Sequence, residues 1–234
     1  MLILVMDTSG DVCTIGVISD AGPVAQDAFT HKMDLLRRLA PRIKSLMDDA
    51  GLTVAELDAV AISLGPGSFT GLRIGVATAK ALAYAAGKKI VGIPTLDALA
   101  HGVTAEAGDV IAPLLIARPG EVYNALYRRH SSGFAKLTPD SSLSIDEFLD
   151  QALDLSPSRI VFCGSGSGAN KEAIQKRLGP VAVFAPPSSD YPRAEVLGKL
   201  AMDRLVAGES DDVLSIVPLY VRRPTPEIRL QTRM

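Results

Sequence analysis

The sequence contains no tryptophan, only two cysteines and only three histidines among its 234 residues. Cys13 and Cys163 each lie in an apolar, strand-like segment and form no CxxC pair, so we expect two buried free thiols and no disulfide framework. His31, His101 and His130 are far apart and show neither HxxxH nor HExxH spacing. The sequence therefore predicts no metal site, and no Ser-His-Asp or Cys-His order can be assigned.

Long apolar runs and strong net charge are also missing. The longest apolar runs are far below the roughly 18 residues of a membrane span, and the apolar start of the chain meets Asp7 too early for a signal peptide. The formal net charge is -2 and no run of lysine and arginine exceeds two residues, which argues against strong nucleic-acid binding by the chain alone. With 47% hydrophobic residues, the chain is expected to be a globular, cytoplasmic protein.

The most informative stretch predicts a strand, a tight loop and a helix. An apolar run at Ala59–Leu64 breaks into Gly65-Pro66-Gly67-Ser68, and a helical pattern follows at Phe69–Ala86. Ser68 is the predicted helix cap, and the glycines permit positive φ or a close backbone approach. These features leave backbone amides at a helix N-terminus, which is a possible anion site.

The helix in this stretch carries a stripe of small residues. Gly71, Gly75 and Ala79 recur at spacings that place them near one face, where another element can approach closely. The stripe can face the core of its own domain, which periodicity alone favours, or a second protein.

The order of predicted elements occurs twice along the chain, which indicates an internal duplication. Each half contains three strands, a helix, a strand, a glycine-containing turn, a helix, a strand and a helix. The remaining first-half elements are expected at Leu2–Met6, Cys13–Ser19, Pro23–Thr30, Asp34–Ala50, Ile90–Ile93 and Thr95–Ala107. The second-half elements are expected at Val110–Ala117, Glu121–Arg129, Phe134–Leu137, Ser144–Leu153, Arg159–Cys163, Asn170–Leu178, Val181–Ala185 and Pro192–Ala207. This order predicts an α/β protein with two mixed sheets covered by helices.

Three blocks of sequence resemble the TsaB (YeaZ) family, whose members take part in threonylcarbamoyladenosine modification of bacterial tRNA. They are MLILVMDTS at the start, SLGPGSFTGLRIGVATAKALAYAAGKKIVGIPTLDALA in the first half and VPLYVRR near the end. The resemblance implies a duplicated actin/Hsp70-like fold of the ASKHA, RNase H-like type. We expect a first subdomain at 1–104, which contains the partner-binding helices, a second subdomain at 105–221 and a flexible basic tail at 222–234.

The same resemblance implies a non-catalytic subunit. Such a subunit dimerises with a metal-binding, TsaD-like catalytic protein, cooperates with a TsaE-like ATPase and meets tRNA only through the complex. It implies a partner interface on first-half helices at Leu36, Leu39, Ile43, Phe69, Gly71, Leu72, Gly75 and Ala79. It implies a structural loop formed by Gly65, Pro66, Gly67, Ser68 and Arg73. A homodimer, and minor contacts of the tail with tRNA or a partner, remain open.

In the fold that the resemblance implies, a nucleotide lies between the halves, held by the turn after the first strand of each half. The residues that the resemblance assigns to a vestigial site of this kind are Asp7, Thr8, Ser9, Gly164 and Gly166. The second-half turn has Ile116 where the family commonly has aspartate, and Pro119 lacks an amide donor. We therefore expect no bound cofactor and no catalytic residue. A capped turn at Asp7, a purely structural glycine turn, and a stand-alone ATPase or small-molecule kinase are the alternatives.

Overall fold

Two mixed sheets form the framework of the chain in a computed structural model, which describes residues 1–31 and 34–221. The strands of the first sheet are β1 (Leu2–Asp7), β2 (Val12–Ser19), β3 (Gly22–Thr30), β4 (Ala59–Gly65) and β5 (Lys89–Pro94). The strands of the second sheet are β6 (Val110–Arg118), β7 (Glu121–Asn124), β8 (Tyr127–His130), β9 (Gly133–Lys136), β10 (Ser141–Ser144), β11 (Ile160–Cys163) and β12 (Ala182–Phe184). The helices are α1 (Leu35–Asp49), α2 (Phe69–Ala86), α3 (Thr95–His101), α4 (Ile145–Asp154), α5 (Ser165–Ala169), α6 (Lys171–Leu178) and α7 (Ala194–Val206).

The two sheets share one strand order. The first runs β3-β2-β1-β4-β5, and the second has the path β10-β7-β6-β11-β12. In the first sheet, the central strand β1 lies antiparallel to β2 and parallel to β4. In the second sheet, the central strand β6 lies antiparallel to β7 and parallel to β11. The predicted duplicated α/β architecture is therefore confirmed.

The central strand β1 is apolar from Leu2 to Met6 because both of its faces are covered. Leu4 and Met6 pack into the core beneath α1 and α2, whereas Ile3 and Val5 pack into the core on the other face, beneath α7. The polar residues that follow β1 are thus delivered to the carboxyl edge of a sheet that is buried on both sides.

Helix α2 begins and ends where the sequence pattern predicts. The hydroxyl of Ser68 accepts a hydrogen bond from the backbone N–H of Gly71 at 3.2 Å, which caps the helix start. Gly87 ends the helix in a left-handed conformation with φ 62°. Helix α1 is also continuous, with Pro41 accommodated inside it on an exposed position.

The last described elements return to the first sheet. Helix α7 packs on β1 and β2, where Gly198 lies against Ile18. Ile216 enters the core beneath α1 and α2, and the N–H of Leu219 donates to the carbonyl of Leu64 at 2.7 Å. This packing differs from the predicted division, which assigned all of 105–221 to the second half.

The second half departs from the predicted elements in its strands. The strand expected at 121–129 is split into β7 and β8, and β10 was not predicted. Pro113 lies between the two segments of β6 that pair with β7 and β8 and has no N–H for the ladder. The backbone N–H of Leu126 instead donates to the hydroxyl of Thr138 at 2.8 Å.

Three predicted helix boundaries also require correction. Helix α3 ends at His101 because the carbonyl of Gly102 accepts a hydrogen bond from Arg193 at 2.8 Å. Thr95 does not cap it, since its hydroxyl accepts from the N–H of Gly65. Helix α7 begins at Ala194, after the predicted proline start. Within the described residues, no helix is both long and apolar enough to span a bilayer.

Candidate functional site

A cleft of about 590 Å³ lies between the two halves, at the carboxyl ends of β1 and β6. One wall comes from the β1–β2 turn and the start of α2, and the other from the end of β6, β7 and the segment before α7. The lining residues are Asp7, Ser9, Gly10, Asp11, Val12, Gly67, Ser68, Phe69, Leu115, Ile116, Ala117, Tyr123, Ser165, Asp190, Tyr191 and Pro192. The edge of a sheet where its parallel strands end is a common position for binding sites.

Asp7 forms the floor of this cleft and is fully buried. Its Oδ1 accepts a long hydrogen bond from the N–H of Ser9 at 3.4 Å, and the hydroxyls of Ser63 and Ser9 interact with the carboxylate and oppose the effect of burial on its pKa. Burial raises the pKa of Asp7 to about 6, because the charged carboxylate is poorly solvated there.

Two hydroxyl residues flank Asp7 on the neighbouring strands. Thr14 pairs with Asp7 across β2, and Ser63 follows Ile62, the residue of β4 that pairs with Met6. Both side chains are buried, and the hydroxyl of Ser63 interacts with the Asp7 carboxylate and lowers its pKa. A row of buried polar groups therefore crosses three strands at the base of the cleft.

The small residues of the loop and of α2 allow the β1–β2 turn to pack closely. A Cβ atom on Gly67 would lie 2.4 Å from the carbonyl oxygen of Ser9, and one on Gly75 would lie 2.1 Å from the hydroxyl of Thr8. The N–H of Ser68 also donates to the carbonyl of Ser9 at 2.7 Å. The loop thus fixes the position of the turn that carries Asp7.

The second half contributes a different chemistry. Ile116 stands 54% exposed on the cleft wall, next to Leu115 and Ala117. Arg118 is directed to Glu121, with which it forms an ion pair. The end of β6 therefore presents apolar side chains opposite Asp7, as the sequence indicated.

The nucleotide contact at Gly164 and Gly166 stays a prediction, and the structure gives both glycines a packing role. A Cβ atom on Gly164 would lie 2.3 Å from the carbonyl oxygen of Leu114, and one on Gly166 would lie 2.9 Å from the carbonyl carbon of that residue. Both glycines therefore serve the close packing of α5 on β6, and neither lines the cleft. Ser165, between them, does line it.

Most of the predicted partner-contact residues are buried in the chain's own core. Leu39, Ile43, Leu72, Gly71, Gly75 and Ala79 are all buried. The small-residue stripe contacts Thr8 and Ile62, so Gly71 and Gly75 pack within the chain, and the partner contact of the six residues stays a prediction. Leu36 and Phe69 are exposed, at 74% and 38%, and remain available.

The sequence interpretation missed several residues of the cleft. Asp11, Tyr123, Asp190 and Tyr191 all line it. Asp190 and Tyr191 lie in the segment before α7, far from Asp7 in sequence. They reach the cleft because α7 packs on the first sheet. No local motif marked them.

The side chains of the lining carry no positive charge for the phosphates of a nucleotide, although the start of α2, at Gly67, Ser68 and Phe69, also lines the cleft. It carries three carboxylates, Asp7, Asp11 and Asp190, and no lysine, arginine or histidine. Among the described residues, no group of three or more histidine, cysteine, aspartate or glutamate side chains could hold a metal ion to offset this charge. His31 lies near the cleft mouth, but its Nε2 contacts the carbonyl of Gly10 at 2.9 Å.

Comparison with known proteins relates the chain to tRNA-modification proteins. The family model described as tRNA N6-adenosine threonylcarbamoyltransferase (TsaD) matches residues 32–230. The tRNA threonylcarbamoyladenosine biosynthesis protein TsaB of Bacillus subtilis is 28% identical over 98% of this chain and 97% of its own length. The uncharacterized protein Rv3421c of Mycobacterium tuberculosis is 31% identical, over 95% of this chain and 92% of its own length.

Solved structures agree with these relationships. A Pseudomonas aeruginosa protein described as similar to peptidase YEAZ superposes with a TM-score of 0.79 and 26% identity, over 94% of this chain and 99% of its own. Component A of the (R)-2-hydroxyglutaryl-CoA dehydratase of Acidaminococcus fermentans, at 10% identity and a TM-score of 0.53, shares the fold alone, over 88% of this chain and 99% of its own. The chain belongs to the family that the threonylcarbamoyltransferase model describes and, within it, to the TsaB (YeaZ) family.

Proposed function

We propose that the chain is a non-catalytic subunit of the machinery that forms threonylcarbamoyladenosine in tRNA. Membership of the TsaB family gives it a part in tRNA threonylcarbamoyladenosine biosynthesis. The observation that carries the non-catalytic role is the one-sided cleft, in which Asp7 and Ser9 face the apolar end of β6. Transfer of a negatively charged group needs positively charged or metal-held partners, and this lining has no basic side chain and has Ile116 in place of a second acid at the end of β6.

The partner in this proposal is a TsaD-like catalytic subunit, with a TsaE-like ATPase and tRNA joining through the complex. A groove of about 250 Å³ between α1 and α2 supports such a contact. Its lining is mainly apolar and includes Ala40, Met47, Leu52, Val54 and Leu82. Leu36, which lies one turn before Ala40 on α1, is exposed and extends this apolar surface.

The deciding experiment is reconstitution. Purified TsaD-like and TsaE-like proteins, tRNA, ATP and threonylcarbamoyl-adenylate are combined with and without this chain, and the modified nucleoside is measured by mass spectrometry. Modification is expected only when the chain is present, while the chain alone is expected not to hydrolyse ATP. Equal modification without the chain would refute the proposal.

A matched pair of variants tests the surface. Ala40→Arg places a long charged side chain in the α1–α2 groove at an exposed position, where it cannot disturb the core. Gln175→Arg introduces the same charge on exposed α6. We expect Ala40→Arg to lower both partner binding and modification and Gln175→Arg to change neither. Self-association lost in Ala40→Arg without any partner present would instead assign the groove to a homodimer.

A stand-alone ATPase or small-molecule kinase is the second candidate, favoured by the buried Asp7 at the end of β1, on the floor of the cleft. It requires that the isolated chain hydrolyse ATP and that Asp7→Ala abolish the turnover. The first proposal requires no such activity and places the chain in the cytoplasm, with its tRNA substrate.

A further inference from the structure

A second pocket, of about 540 Å³, lies between the end of α3, the β8–β9 hairpin and α7. It shares no lining residue with the cleft at Asp7. Val196 and Leu200 of α7 and the ring of Phe134 give it apolar walls. A concave site of this size with apolar walls and a few polar groups is suited to a small organic ligand or to one unit of a polymer.

The charged side chains of the lining leave one positive charge without a counter-charge. The carboxylate of Glu195 is ion-paired with Arg193 at 3.1 Å, and that of Asp203 is ion-paired with Lys199 at 3.0 Å. The side chain of Arg129 also lines the pocket, and it forms no ion pair or hydrogen bond within the described part of the chain. Because a guanidinium stays protonated, Arg129 presents a permanent cation to the pocket.

Aromatic stacking holds this guanidinium in place. It lies over the ring of Phe134, 4.7 Å from the ring centroid, and the ring of His101 packs on the same phenylalanine at 4.4 Å. Stacking uses the face of a guanidinium and leaves the N–H groups at its edge able to donate. Ser131 and Ser132, at the tip of the hairpin, add two hydroxyl donors to the lining. The pocket therefore combines a held cation with several neighbouring donors.

We infer that this pocket binds a phosphate ester, with Arg129 paired to the phosphate, the two hairpin serines donating to it and the apolar wall of α7 against the organic part. A phosphate offers several acceptor oxygens, so it can take the forked donors of the guanidinium and a hydroxyl donor at once. A free phosphorylated small molecule and a backbone phosphate of RNA present this same group. The two sources are separated by the binding experiment.

The test is isothermal titration of the full chain with phenyl phosphate, which joins a phosphate to one apolar ring. We expect saturable binding that weakens with salt, and an increase in Kd of about tenfold or more for Arg129→Gln, because a charge-assisted hydrogen bond is lost. Arg128→Gln is the matched control: it removes the same charge from the next residue of β8, which does not line the pocket, and should leave Kd unchanged.

A third variant should change the affinity in the opposite direction. Asp203→Asn removes a carboxylate from the lining and frees the ammonium of Lys199, so Kd should fall about twofold. Asp203 is exposed, and its replacement leaves the core intact. Thermal unfolding of all three variants verifies that each is folded.

A single-stranded RNA of adenosines, titrated in the same way, identifies the source. RNA binding that Arg129→Gln weakens and phenyl phosphate competes with would assign the pocket to an RNA backbone, whereas binding of phenyl phosphate alone would assign it to a free small molecule. Any of four results would overturn the inference: no binding of phenyl phosphate at millimolar concentration, an unchanged Kd in Arg129→Gln, an equal loss in Arg128→Gln, or weaker binding in Asp203→Asn.

Discussion

Replacing Asp7 by asparagine should stabilise the chain at neutral pH. The side chain is fully buried, and burial raises its pKa from 3.8 to about 6. The folded state therefore binds the proton more tightly than the unfolded state, and stability falls as the pH rises from about 4 to about 6. At about 1.4 kcal/mol per pH unit, this difference corresponds to about 3 kcal/mol of stability lost above pH 6. Asparagine does not ionise and avoids the loss.

The assay is urea unfolding of Asp7→Asn and the parent at pH 4, 5, 6, 7 and 8, in buffer without amines or divalent cations. The difference in unfolding free energy should be small at pH 4, grow through pH 5 and level off above pH 6, with the variant more stable. Other titrating groups act equally on both proteins and cancel in the difference. Asp154→Asn should show no comparable pH-dependent gain, because that carboxylate is exposed.

A variant that is less stable than the parent at pH 8, or a difference that does not change with pH, would refute the reasoning. Either result would mean that the charged form of Asp7 is well stabilised in the folded chain.

Further predictions concern packing, thiol reactivity and helix capping. Gly75→Ala should destabilise the chain by about 1–3 kcal/mol in urea unfolding, because its Cβ would overlap a buried threonine hydroxyl. Gly168→Ala, where the added Cβ meets nothing within 4 Å, should be neutral or stabilise by about 0.5–1 kcal/mol. The thiols of Cys13 and Cys163, whose pKa values burial raises, should react with a thiol reagent at pH 8 only after unfolding. Ser144→Ala, which removes a capping box at α4, should cost about 1 kcal/mol.

The first half could be predicted from local pattern because its elements follow the rules closely. Helix α2 has a serine cap, a glycine stop and no interruption, so its predicted bounds are confirmed. The second half contains elements that depend on distant contacts. Helix α5 has the sequence SGSGA, which has poor helix propensity, and it forms where Gly164 and Gly166 let the chain pack on Leu114.

Helical periodicity alone could not show whether an apolar helix face packs on the core or contacts a partner. Leu39 and Leu72 recur with helical spacing, and such spacing is equally compatible with a core or a partner. Only the three-dimensional packing shows that both are buried, whereas Leu36 is exposed. Only part of the cleft could be predicted, for the same reason. Asp7 and Ile116 lie near the ends of recognisable strands, but Asp190 is brought to the cleft by the position of α7.

The return of α7 and residues 211–219 to the first sheet has a consequence for synthesis on the ribosome. Leu197 and Ile216 complete the two cores on either side of β1, so the half that is made first is finished by residues that are made last. Until those residues emerge, one face of the first sheet stays uncovered and prone to association. We expect the nascent chain to acquire protease resistance late, after α7 and Ile216 have left the exit tunnel, and not when β5 has been made.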